Sequence, residues 1–106
     1  MSKYYNKITV TGDGIRHDSR KEANRWEELK LLQKAGKIKN LQRQVKFELT
    51  PKLADFRASY YIADFVYEDL ASGKTVVEDC KGMRTDVYML KKKMMFWRYG
   101  IRILET

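Results

Sequence analysis

Asp64 sits inside the apolar run Tyr61-Ile62-Ala63-Asp64-Phe65-Val66. Aspartate is disfavoured in strands, and its buried charge is costly unless it is paired. Further along, Asp79-Cys80-Lys81 closes a second β-like stretch. Strand side chains two apart share a face, so Asp79 and Lys81 project together while Glu78 and Cys80 project oppositely. A carboxylate beside an ammonium at a strand end can hold a metal ion and a water close to a cation. If the strands carrying Asp64 and Asp79 form a hairpin, two carboxylates and a lysine converge. Cys80 then points into the core and offers a metal only its backbone carbonyl.

The elements that must position these residues follow from periodicity. Ser19 to Ala35 reads as a helix, capped by Ser19 and closed by Gly36, with Ala23, Trp26, Leu29, Leu32 and Ala35 as its buried stripe. Glu22 lies near that stripe. Gln44 to Leu49 alternates, with Val45, Phe47 and Leu49 on one face, and Pro51 ends it. Tyr60 to Tyr67 is a second strand and Lys74 to Lys81 a third, the two forming a hairpin. Thr85 to Tyr99 reads as a second helix with Val87, Leu90, Met94 and Trp97 facing inward, ended by Gly100. Ile101 to Leu104 is a short last strand. Before all of these, residues 1–18 form an arm or edge strand (Ile8-Thr9-Val10) and a turn at Gly12 and Gly14. The order of helix, three strands, helix and strand implies an α/β (α+β) fold with a mixed sheet.

A chain of 106 residues is one domain, with 43% hydrophobic and 34% charged residues, a globular balance rather than a disordered one. No stretch approaches the roughly 20 apolar residues of a membrane helix, and Met1-Ser2-Lys3-Tyr4-Tyr5 has no signal-like apolar core, so a soluble cytoplasmic protein is expected. One Cys and one His exclude an internal disulfide and a four-ligand zinc site. Twenty-two Lys and Arg against fourteen Asp and Glu leave a net charge of +8, which draws a domain toward polyanions or serves solubility alone. Arg84, Lys91, Lys92 and Lys93 are the candidates for phosphate contact. Consecutive lysines on a helix point in different directions, so only one or two can touch one strand. Lys3, Lys7 and Arg16 could form a basic arm.

Asp64 followed by Asp79-Cys80-Lys81 resembles the D…(D/E)-x-K signature of the PD-(D/E)XK nuclease superfamily, whose members share this order of elements. The chain from about Asp18 to Leu104 also resembles a family of small phage and prophage proteins of unassigned function that are considered nuclease-like. Ala63 stands where the signature often has proline, and Asp79 where glutamate is commoner. The resemblance implies a restriction-endonuclease-like domain, Mg²⁺ or Mn²⁺ as cofactor, and DNA as partner. It implies Asp64, Asp79 and the Cys80 carbonyl as metal ligands. Glu22 matches the first-helix glutamate and Gln44 the glutamine found on the first core strand of some members. Lys81 would orient the attacking water. The expected activity is endonucleolytic hydrolysis of DNA in phage recombination or branched-DNA processing.

Each residue has a second reading. Glu22 stands three after Ser19 and could complete a capping box. Asp64 could pair with Arg57 or a backbone amide. Gln44 and Lys81 could be solvent-facing strand residues, and His17 a turn residue. The function has alternatives too: a non-catalytic nucleic-acid-binding module keeping the nuclease fold, or a small interaction protein. A nuclease with one site per chain would need a second copy to cut both strands, so a homodimer is possible.

Overall fold

The computed structural model describes residues 8–80 and 84–106. Six strands and two helices follow in the order β1 (Thr9–Val10), β2 (Arg16–His17), α1 (Arg20–Lys34), β3 (Ile38–Thr50), β4 (Ser59–Asp69), β5 (Lys74–Asp79), α2 (Asp86–Tyr99) and β6 (Leu104–Glu105). The main sheet runs β3-β4-β5-β6; its first two pairings are antiparallel and β5–β6 is parallel. This is a mixed α/β domain. The expected helix–three strands–helix–strand order holds, and the β4–β5 hairpin forms.

The helices start and stop where the sequence punctuates them. The Ser19 hydroxyl accepts the Glu22 N–H, and the Thr85 hydroxyl accepts the Tyr88 N–H. Gly100 closes α2 in the left-handed conformation, which an L side chain rarely adopts. The arm is a small hairpin, β1 against β2, around a turn in which Gly14 N–H bonds the Thr11 carbonyl. Asp13 ties that hairpin to α1, accepting from the Trp26 indole at 2.7 Å and Lys30 at 2.6 Å. These donors hold the Asp13 carboxyl well below the usual carboxylate range.

One helix covers each face of the sheet. Trp26 and Leu29 of α1 pack on Ile38, Phe65 and Tyr67. Tyr88 and Met95 of α2 pack on Leu49, Tyr61, Ala63, Val66 and Val77. In a regular strand Ala63 and Phe65 would share a face; here they belong to opposite cores. The alternation breaks at Asp64. Arg43 pairs with Phe65 and Val45 with Ala63, but Gln44 and Asp64 between them do not pair. Gln44 has φ 54°, in the left-handed region that costs a side-chain-bearing residue strain.

Several boundaries depart from expectation. β3 begins at Ile38 rather than Gln44, because Ile38 and Lys39 pair with Asp69 and Glu68 despite their polar neighbours. β6 is Leu104–Glu105 rather than Ile101–Leu104, taking its place beside Glu78 and Asp79. Leu32 and Ala35 lie beyond the sheet's cover and are exposed. The largest departure is in α2. Its buried residues are Tyr88 and Met95, while Val87, Leu90 and Trp97 of the expected inward stripe face out.

Candidate functional site

The break in β4 has a chemical consequence. Asp64 turns toward the α1 layer, where Gln44 stands between it and Glu22. The Gln44 side-chain amide donates to Glu22 Oε1 at 3.2 Å and reaches Asp64 Oδ1 at 3.5 Å. The other Asp64 oxygen accepts the Cys80 backbone N–H at 2.8 Å. That N–H lies just past the end of the β4–β5 ladder, so the aspartate replaces a strand partner. Glu22, Gln44 and Asp64, from α1, β3 and β4, thus form one cluster.

Glu22 is buried at 5% exposure. Ser19 caps α1, yet the Glu22 carboxylate turns to Gln44, so this residue's side chain serves the cluster. His17 Nδ1 and Arg43 Nη2 stand 3.7 Å and 3.8 Å from Glu22 Oε1. Burial first, then the negative charges of Asp64 and Asp18, push the Glu22 carboxyl up to about 7 against the pull of Arg43 and Gln44. Burial and the neighbouring Arg43 lower the His17 imidazole. A carboxyl held this far up is poised to lose its proton to any cation brought beside it.

The expected convergence of Asp79 with Asp64 does not occur. The β4–β5 register, carried one pair past Phe65–Glu78, sets the two residues opposite one another. The break at Gln44 and Asp64 nevertheless turns Asp64 toward α1. Asp79 stays on the α2 face, fully buried, and accepts the Tyr61 hydroxyl at 2.6 Å. Glu78 projects oppositely to Asp79, as strand geometry requires, and meets Arg25 of α1. Arg25 Nε and Nη2 clamp both its oxygens at 2.8 Å and 2.7 Å, and the Tyr67 hydroxyl adds a third donor. Lys81 lies outside the described residues. The Cys80 thiol is half-buried beside the Thr106 hydroxyl, and burial pushes it up to about 11. An open cleft of about 320 Å³ adjoins it, lined by Lys21, Asn24, Arg25, Glu28, Cys80 and Thr106.

The basic candidates divide. Arg84 is paired to Glu105, and Lys92 meets the same carboxylate at 3.2 Å. Lys91 is half-buried and Lys93 exposed. All but Arg84 ride on α2, across the sheet from Glu22 and Asp64. Arg57 is not the partner of Asp64, which takes the backbone amide instead.

Sequence reasoning missed Arg25, Arg43 and His17 as partners of acids. Arg25 and Glu78 are 53 residues apart, and no local pattern joins them. His17 needed the β1–β2 hairpin to carry it inward, and only the short Thr-Gly-Asp-Gly turn hinted at one.

The donor set at the cluster is oxygen, from two carboxylates and an amide that could turn its carbonyl inward. That chemistry fits a hard divalent cation, which asks for one or two carboxylates and retains waters or takes phosphate oxygens. Among the described residues, no three His, Cys, Asp or Glu side chains stand together as a metal-holding group. The fit therefore rests on the pair.

Fold and site together define a small mixed α/β domain with an acidic pair at a break in its sheet. The chain belongs to the DUF1064 family, described as proteins of unknown function, whose model matches residues 1–104. No curated protein and no solved structure matches it. Among the described residues no helix is long and apolar enough to cross a membrane.

Proposed function

We propose that this domain is a metal-dependent endodeoxyribonuclease, hydrolysing phosphodiester bonds at the Glu22–Gln44–Asp64 cluster. The observation that carries the reading is the acidic pair itself: two carboxylates from different elements share one amide donor, and one of them is held protonated by burial and repulsion. A structural pair has no need of that unfavourable arrangement, whereas a cation-binding pair does. The +8 charge and the Asp64…Asp79-Cys80-Lys81 pattern support DNA as the substrate. Branched DNA in phage recombination, in a bacterial cytoplasm, is the setting that the resemblance implies.

Glu22 and Asp64 would hold Mg²⁺ or Mn²⁺. The ion would polarise a phosphate oxygen and acidify a water. Gln44 fixes the relative orientation of the two carboxylates through one amide. The Cys80 N–H anchors Asp64, so its remaining oxygen is the one offered. Lys21 and Asn24, lining the adjoining cleft, are placed to take the phosphate next along the strand. Lys81 is assigned to the attacking water. Asp79 joins the pair only by leaving the Tyr61 hydroxyl.

Supercoiled plasmid incubated with Mg²⁺, Mn²⁺ or chelator tests the proposal. Nicking that requires the metal and drops by about 100-fold or more in Asp64→Asn is the expected result. A folded protein that shifts DNA in a gel but never nicks it would leave the second reading, a binding module on the same fold. The inward placement of Asp79 is the observation in that reading's favour.

A further inference from the structure

Val87, Leu90, Met94 and Trp97 have the spacing of a buried helix face, yet Val87 is 64%, Leu90 57% and Trp97 76% exposed. The chain's own core uses a different side of α2, Tyr88 and Met95. A helix apolar on two sides has only one of them covered by its own domain, and a contiguous exposed apolar stripe of this kind marks an interaction surface. We propose that a second copy of this chain covers the stripe, with the two α2 helices packed antiparallel about a two-fold axis.

The stripe is complementary to itself. At about 100° per residue its four members fall within a sector of about 80°. Their spacing of three, four and three reads the same in both directions. A reversed copy therefore sets Val87 against Trp97 of the second copy and Leu90 against Met94 of the second copy. The charges agree. Asp86 and Lys93 are both exposed and border the same edge of the stripe. A two-fold brings that edge against itself, so Asp86 approaches Lys93 of the second copy, about 7.5 Å along the axis, a gap the two side chains can span. On the other edge, Arg98 is turned back onto its own sheet, donating to the Leu49 carbonyl at 3.2 Å. Antiparallel helices also oppose their dipoles favourably. A partner of unrelated sequence would account for an apolar face, but not for its palindromic spacing or the acid–base pair on one edge.

The test is the mass of the full chain in solution, without DNA or metal, by light scattering or sedimentation across a wide concentration range. Its failure would leave the nuclease reading untouched. The expected species is twice 12.6 kDa. Leu90→Glu places two carboxylates at the centre of the interface and should weaken dimerisation by about 100-fold, and Trp97→Ala by about 30-fold. Both variants should keep the wild-type circular dichroism, since neither side chain is in the core. Asp86→Lys alone should weaken the dimer, and Asp86→Lys with Lys93→Asp should restore it. A wild type that stays at 12.6 kDa, or that changes mass only with DNA, overturns the proposal. So does a Leu90→Glu variant that still dimerises, or a double charge swap weaker than either single change.

Discussion

On the α1 face of the sheet, Glu22, Glu78 and His17 are buried among Trp26, Leu29 and Phe65; on the α2 face, the core is Leu49, Ala63, Val77, Met95 and Ile103 with two tyrosines and one acid, Asp79. Outside the sheet's cover the contrast reverses. The turns of α1 that leave the sheet expose Leu31 and Leu32, whereas α2 exposes apolar residues along its whole length. A domain this small has little hydrophobic area to spare. Placing charge inside one layer and apolar surface outside the other runs against stability on both counts. Each departure is intelligible if something not present in the isolated chain completes it: a cation and a phosphate on the α1 face, a second helix on the α2 face.

The largest test of that contrast is Arg25→Ala. It leaves Glu78 buried with only the Tyr67 hydroxyl, and removing one member of a buried ion pair costs about 3 kcal/mol or more. A fall in the denaturant midpoint of that size is expected. It should be largely recovered by adding Glu78→Gln, since the penalty is the stranded charge. Met95→Ala, fully buried on the other face, should cost about 2–5 kcal/mol through its cavity. No charge substitution should relieve that loss. If Arg25→Ala is near neutral, the α1 face is not held by its ion pair and the contrast between the layers collapses.

The next effect is a pH dependence. Glu22 in the fold titrates at about 7, against an ordinary value of 4.5. Between those values the folded protein keeps a proton that the unfolded chain has lost. Stability therefore falls as pH rises through this window and levels off above it. Glu22→Gln should abolish that slope and be more stable than wild type near pH 8, by about 2–3 kcal/mol at most. Urea unfolding at pH 5 and pH 8 measures it. Equal slopes in wild type and variant would mean that Glu22 is not strained, and the main support for a cation site would go with it. Added Mg²⁺ should raise the melting temperature of the wild type at pH 8, where Glu22 is ionised, and not that of Asp64→Asn.

Much of the fold was legible in the sequence because caps and alternation are local signals. Ser19, Thr85 and Gly100 bound their helices where expected, and the β4–β5 hairpin followed from two β-rich runs joined by a polar turn. Glu22, Gln44 and Asp64 were each named from the pattern, and the fold brings these three together. Asp79 failed the expectation for a reason that period-two reasoning cannot contain. The alternation rule is exact only along an unbroken strand, and β4 breaks at Asp64 opposite the left-handed Gln44. Nothing in Ala63-Asp64-Phe65 signals that break. The orientation of α2 failed differently. The helix carries two apolar stripes, and periodicity finds the larger one without saying which body it packs against.

The smallest expected effect separates those two explanations of α2. If Trp97 were inside, as its spacing suggests, Trp97→Ala would cost about 3–5 kcal/mol, the usual loss for a large buried aromatic. Exposed at 76%, it should change the stability of the single chain by no more than about 0.5 kcal/mol. The measurement must be made dilute enough that any dimer has dissociated, since a bound second copy would add its own stabilisation to the wild type. At high concentration the difference between wild type and Trp97→Ala should therefore grow, and it should not grow for Met95→Ala, whose loss lies within the chain. A large, concentration-independent loss in Trp97→Ala would put that tryptophan in the core and return α2 to the orientation its sequence suggested.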